Sequence, residues 1–242
     1  MRTVHIGCSG WDYDSWTGVV YERGLAQKRR LEAYAEQFST VEVNSSFYRL
    51  PARATVADWV ARVPDDFVFA FKASRYLTHI KRLDGIGHGI RRLYGRLRPA
   101  IDAGKLGPVL WQLPPNFEAR PERLARVLEL VPEGRHAFEF RDPSWFREEV
   151  YGLLRDAGAA LVIADDARKD FGPQQQPADV ADWVYLRLHY GSRGRRGNYS
   201  AAELETWKRR IAAWRRRSDV YVYLNNDWEG FAPRNAQALK PV

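Results

Sequence analysis

Apolar and polar positions in this chain repeat at two spacings that take turns along its length. Short runs alternating at period two mark strands, and longer runs with apolar residues every third or fourth place mark amphipathic helices. Eight strand candidates follow in order: Val4–Cys8, Thr40–Asn44, Phe67–Lys72, Pro108–Leu113, Ala137–Arg141, Ala160–Asp165, Trp183–His189 and Val220–Asn225. Helical patterns separate most of them. Leu25 to Phe38 sets Leu31, Tyr34, Ala35 and Phe38 on one face, and Val56 to Val63 is a short segment stopped by Pro64. Gly89 to Ala103 is weakened by its glycines and Pro99, whereas Pro121 to Val131 and Trp145 to Ala157 are cleaner. The longest helix, Ala201 to Arg217, opens on Ser200 as N-cap with Glu203 completing a capping box. Ala232 to Leu239 is a brief last helix.

Strand and helix alternating eight times predict parallel strands joined by right-handed crossovers. Eight such units close most naturally into a single-domain TIM-type (β/α)8 barrel spanning residues 1–242. The connection after strand six is degenerate: Ala167 to Asp182 contains FGPQQQP and reads as loop. A doubly wound open sheet is the rival. It usually carries GxGxxG after its first strand, and GCSGWD at Gly7–Asp12 does not match.

Composition narrows the class. Of 242 residues, 45% are apolar and 13% aromatic, enough for a packed core. No apolar run approaches the roughly 20 residues that cross a bilayer, so no membrane partner is expected. A strand-like start without a signal peptide and a single cysteine, Cys8, lead to an expected cytoplasmic location without disulfides. The net charge of +8, from 38 basic and 30 acidic residues, suits nucleic acid or small anions without choosing between them. Oligomeric state is not legible.

Polar residues near the C-terminal strand ends carry the functional reading. HAFEFRDPSW at His136–Trp145 puts Glu139 and Arg141 on one face of a strand, just before a helix start at Pro143. Strand two presents Glu42 and Asn44, strand three ends in Lys72, strand four carries Gln112, and strand six ends at Asp165. Strand seven aligns Tyr185, Arg187 and His189, and strand eight aligns Tyr221, Tyr223 and Asn225, followed by Asn226. In a barrel these side chains converge on the catalytic mouth. The bland alternative for each is an internal ion pair that only fixes the barrel. Together they favour a binding site, because burying so many charges without a ligand or water is costly.

Secondary signals are weaker. YGSRGRRGNY, Tyr190–Tyr199, is a glycine- and arginine-rich loop after strand seven, where TIM barrels often hold phosphate; a solvated basic loop is its alternative. His79 follows strand three and suits hydrogen bonding. P-loop, HExxH and GxSxG patterns are absent. Glu42, Glu139, Asp165 and His189 are of the types that hold a divalent ion. Their cationic neighbours Lys72, Arg141 and Arg187 argue for neutralised carboxylates, so neither a metal nor another cofactor is assigned.

The motifs GCSGW (Gly7–Trp11), FSTVEVNSSFYRLP (Phe38–Pro51), FKASRYLTH (Phe71–His79), GPVLWQLPPNF (Gly107–Phe117), FEFRDPSW (Phe138–Trp145), YLRLH (Tyr185–His189), RGNYS (Arg196–Ser200) and YVYLNNDWEGFAPRNA (Tyr221–Ala236) together resemble the YecE-like family, domain of unknown function 72. The resemblance runs from Ile6 to Leu239. It implies a TIM barrel and no established reaction. The chain departs from the family pattern at Glu22, Asp142 and Tyr190, the last two bordering the expected site.

Three functions compete. The leading one is an enzyme (hydrolase, lyase or isomerase) doing general acid–base chemistry on a small anionic or phosphorylated substrate. Glu139 or Glu42 would transfer the proton after burial tunes it toward neutrality, with His189 as second acid or base. Lys72, Arg141 and Arg187 would hold the anion, and Asn44, Gln112, Asn225 and Asn226 would orient its polar groups. Trp11, Tyr48 and Trp145 would wall the pocket, with His79, Asp165 and Tyr199 lining it. The alternatives are a nucleic-acid-binding protein or phosphodiesterase using the basic loop and helix, and a metabolite-binding barrel without turnover.

Overall fold

In the computed structural model, which describes residues 2–165, 180–193 and 197–240, the strands are β1 (Val4–Ser9), β2 (Thr40–Val43), β3 (Val68–Lys72), β4 (Leu106–Gln112), β5 (His136–Glu139), β6 (Ala160–Leu161), β7 (Ile163–Asp165), β8 (Trp183–Leu188) and β9 (Asp219–Leu224). They form one nine-stranded sheet in the order β6-β5-β4-β3-β2-β1-β9-β8-β7, paired parallel throughout. The expected TIM-type barrel is the observed fold.

One predicted strand is two. Ala160 to Asp165 breaks at Val162 because its halves serve different neighbours. β6 pairs with β5 through Ala137↔Ala160, and β7 pairs with β8 through Ala164↔Arg187. Val162 still donates its N–H to Phe138 O at 2.9 Å, so the barrel closes through a change of partner along one strand. The predicted loop Ala167 to Asp182 lies, up to residue 179, outside the described residues.

Helices cover the outside: α1 (Arg30–Ala35), α2 (Ser45–Tyr48), α3 (Arg53–Ala61), α4 (Gly87–Asp102), α5 (Pro121–Leu130), α6 (Glu148–Asp156), α7 (Ala201–Arg215) and α8 (Phe231–Leu239). The predicted capping box of α7 is present, with Ser200 and Glu203 satisfying each other's backbone N–H groups. Two helices are shorter than their periodicity suggested. α1 is preceded by a 3-10 turn at Gln27–Arg29, and α6 starts three residues after Trp145. Trp145 instead leaves the helix to stack on Phe140 at 4.6 Å. Among the described residues no helix is long and apolar enough to cross a membrane.

Strand parity divides two cores. Outward residues such as Val41, Phe71, Trp111, Phe138 and Leu186 pack under the helices. Inward residues fill the barrel: Ala70, Leu110, Ala137, Val162, Tyr185 and Tyr223. Small residues facing large ones leave room for the tyrosines, whose hydroxyls need partners once buried. Tyr223 finds Thr40 Oγ1 at 2.8 Å.

Where β1 and β2 first approach, a side chain replaces the ladder. The Tyr34 hydroxyl accepts from Cys8 N at 2.8 Å and donates to Thr40 O at 2.8 Å. Gly7 permits this, since a Cβ there would lie 2.1 Å from Thr40 O and 2.9 Å from the Tyr34 hydroxyl. Gly7→Ala should therefore destabilise the fold by about 1–3 kcal/mol through overpacking. Urea unfolding measures it, and a midpoint unchanged from wild type would refute this account of the strand junction.

Candidate active site

The C-terminal end of the barrel is built from the last inward residues of six strands. Ser9, Glu42, Lys72, Gln112, Glu139 and Arg187 come from β1, β2, β3, β4, β5 and β8. All but Gln112 are buried. Arg187 is the junction. Its Nη2 and Nε donate to Glu42 Oε1 and Oε2 at 2.9 and 3.1 Å, while Nη1 donates to Glu139 Oε2 at 2.6 Å. Gln112 Oε1 lies at 3.4 Å from the same Nη1. Glu42 also accepts from Ser9 Oγ at 2.5 Å and Tyr185 OH at 2.7 Å. Glu139 also accepts from Arg141 Nε at 2.7 Å.

These contacts reverse the expected protonation of the glutamates. Burial alone would raise both carboxyls. For Glu42, the Arg187 charge with the Ser9 and Tyr185 hydrogen bonds outweighs burial and carries it below the usual range. For Glu139, Arg187 and Arg141 do the same more strongly. Both carboxyls are thus held in the anionic form, in place of the neutrality expected from sequence.

Lys72 behaves in the opposite way. It is 8% exposed at the end of β3. Burial, then the Arg187 charge, brings its amine down to about 7. No carboxylate lies within ion-pair distance of it among the described residues. Its Nζ instead sits 4.2 Å from the centre of the Phe47 ring, in α2. His79 meets the same ring edge-on at 4.9 Å. His79 lies in a π-helical turn, Tyr76–Ile80, directly after β3; such turns are frequent at functional sites. Burial and the Lys72 charge lower His79 to about 4, so its imidazole is neutral beside the amine.

A second half of the mouth is polar and uncharged. Asn44 Nδ2 reaches Asn225 Oδ1 at 3.5 Å, and Asn225 Nδ2 donates to His189 Nδ1 at 3.1 Å. That bond leaves the proton on His189 Nε2, which is buried without a partner, as are Asn44 Oδ1 and both side-chain polar atoms of Asn226. Burial and Arg187 lower His189 to about 3, so it too is neutral. Beside this half, a cavity of about 670 Å³ is lined by Trp11, Asn44, Tyr48, Trp59, Lys28 and Arg62. Trp11 meets Trp59 edge-on at 5.1 Å, and Tyr48 is 81% exposed.

Three expected site residues face elsewhere. Trp145 is fully buried in the outer core, donating Nε1–H to Phe117 O at 2.6 Å, so it is no pocket wall. Asp165 has outward parity in β7 and accepts from Tyr199 OH at 2.9 Å, taking both residues toward α7. The acidic set suggested for a metal is thereby split, and no group of three or more His, Cys, Asp or Glu suited to a metal occurs among the described residues. In the loop after β8, residues 194–196 lie outside the described residues. Around them, the Glu203 carboxylate takes the N–H groups of Ser192 and Ser200, each at 2.7 Å, where a phosphate cradle was one of two readings. Asp142, a departure from the family pattern, accepts from Ser144 N at 3.0 Å and so caps a local turn. Sequence reading missed Phe47, which nothing in the sequence signals, while Ser9, open there to a nucleophile's or a turn cap's role, donates to Glu42.

Residues 5–241 match the family model described as protein of unknown function DUF72. The chain belongs to the DUF72 family. This DUF72 chain is 26% identical to UPF0759 protein YunF of Bacillus subtilis (strain 168), over 98% of its own length and 93% of the relative's. It is 30% identical to UPF0759 protein YecE of Escherichia coli (strain K12), over 67% of its own length and 59% of that protein. Its fold is similar to the crystal structure of a DUF72 family protein from Thermotoga maritima MSB8, with TM-score 0.88, 29% identity and 98% of each chain covered.

The shared guanidinium makes a sharp prediction for this DUF72 protein. Arg187→Met leaves buried Glu42 without a cation and Glu139 with Arg141 alone, and should cost about 3–5 kcal/mol. Adding Glu42→Gln and Glu139→Gln removes those charges and should recover more than half of the loss. Urea unfolding of the single and triple variants reads both, and a triple variant no more stable than the single one would refute the arrangement.

Proposed function

We propose that the protein is an enzyme acting by proton transfer on a small anionic substrate at the barrel mouth, with Lys72 as the transferring group. One observation carries the reading: Lys72 is a buried amine at a strand's C-terminal end that lacks a carboxylate partner and titrates near neutral pH. A group of that kind suits a general acid or base, which works best with a pKa near the operating pH. Glu42 and Glu139 set two negative charges against Arg187, Arg141 and Lys72, so protonated Lys72 gives the cluster one net positive charge. An anion is drawn to that state and holds the proton on the amine. Arg141 lies at the rim to orient it, and the Asn44–Asn225–His189 chain offers neutral groups to the rest of the molecule.

The pH dependence follows from the sign of the shift. Between pH 7 and the ordinary amine range the unfolded chain binds the Lys72 proton and the folded chain does not, so stability rises with pH through that window. Lys72→Met removes the buried cation. Its gain in melting temperature should be largest below pH 7, at least about 2 °C, and should fade toward pH 10.

Function itself is read with inorganic phosphate and a panel of small phosphorylated and carboxylated metabolites. Anions should raise the melting temperature more at pH 6 than at pH 8.5, and Lys72→Met should abolish the difference. A stabilising metabolite should then take up solvent deuterium at carbon in the presence of wild-type protein and not of the variant. Binding without such exchange would favour a metabolite-binding barrel, and no anion-dependent stabilisation at either pH would remove the proposal.

A further inference from the structure

We infer that Lys72 is a nucleophile that joins covalently, as an imine, to a hydroxylated aldehyde or ketone bearing an anionic group. The inference rests on the proposed acid–base reading of the same site and names its substrate class. Three features carry it. Lys72 Nζ lies over the Phe47 ring face rather than against a carboxylate, so its lone pair is not tied up in an ion pair. The two carboxylates that would otherwise claim it are saturated by Arg187 and Arg141. Such desolvation beside other cations is how a lysine becomes nucleophilic. His79, a neutral imidazole, packs on the same Phe47 ring that Lys72 lies over.

The uncharged half of the mouth gives the rest of the ligand. His189 Nε2–H is a buried donor and Asn44 Oδ1 a buried acceptor, both without partners. A hydroxyl is the group that both accepts from the first and donates to the second. Arg141 at the rim suits a phosphate or carboxylate. The substrate thus carries a carbonyl toward β3, hydroxyls toward β2, β8 and β9, and an anion toward β5.

The step balances with nothing added. The Lys72 nitrogen lone pair attacks the carbonyl carbon, and the C=O π pair moves to oxygen. One N–H proton passes to that oxygen, giving a carbinolamine. The second N–H proton then leaves with the hydroxyl as water, and the C=N bond forms. The product is a neutral imine, which a proton converts to the iminium that activates the adjacent C–H or C–C bond.

Borohydride trapping tests it on the full-length wild-type protein, because a hydride converts the imine to a stable secondary amine. Protein at pH 7.5 is incubated separately with dihydroxyacetone phosphate, with glyoxylate and with dilute formaldehyde as a size-independent probe, then reduced. Peptide mapping by mass spectrometry locates the adduct, so no variant has to fold. The expected result is one adduct per chain at Lys72, forming at least about tenfold faster than at any other lysine. Excess inorganic phosphate should slow it severalfold. Modification at other lysines first, or an unmodified Lys72 with all three probes, would overturn the imine. Anion-dependent stabilisation persisting in that case would leave the acid–base reading standing, and its loss as well would remove both.

Discussion

A single guanidinium holds the interior of this barrel's mouth in one state. Arg187 spans from β8 to the carboxylates of β2 and β5 and uses all three of its nitrogens on them. Buried triads of this kind contribute little net stability, because desolvating three charges offsets most of their attraction. What they impose is a protonation pattern. With Arg187 in place, Glu42 and Glu139 are anions, and Ser9 and Tyr185 are committed as donors to Glu42. The remaining amine, Lys72, then lies in a field set by a strong cation with no counter-ion of its own.

Parity along the strands decides which residues share that field. Because side chains alternate between faces, one step along a strand separates mouth from outer core. Glu139 faces in, while Phe138 and Phe140 face out and stack with Trp111 and Trp145. The same rule sends Asp165 outward, where Tyr199 satisfies it. The break at Val162 is compatible with this, since it changes the partner of the strand without adding a residue that would invert the faces.

Much of this was legible in the chain. The strands stood out because barrel interiors tolerate polar residues only at the ends, so Glu42, Glu139, Arg187 and Asn225 broke apolar runs at matching places. Helix ends were less legible: Trp145 fits a helical period, yet its ring gains more by stacking on Phe140 and donating to Phe117 O than by continuing α6. The charge state of the glutamates was misread because it depends on how far one arginine reaches across the barrel, which spacing along the sequence cannot give. The pairing of Lys72 and His79 through Phe47 was hidden for a similar reason. It arises from a one-turn helix, α2, and a π-helical turn, both too short to leave a period.

The mouth's division into two halves is the reason the proposed reading falls on Lys72 and not on either histidine. His189 and His79 are both lowered by burial and by nearby cations, so near neutral pH each is an imidazole that hydrogen-bonds or relays a proton without gaining charge. Both glutamates are held below the usual carboxylate range. Among the described groups of the mouth, the Lys72 amine is the one brought down to about 7, at the boundary between the cationic side and the amide-lined side. A ligand with its anion on one side and its hydroxyls on the other would place its reacting centre at that boundary. The chemistry proposed for Lys72 thus rests on the electrostatics that Arg187 sets, which would tie reactivity to the same contacts that fix the barrel interior.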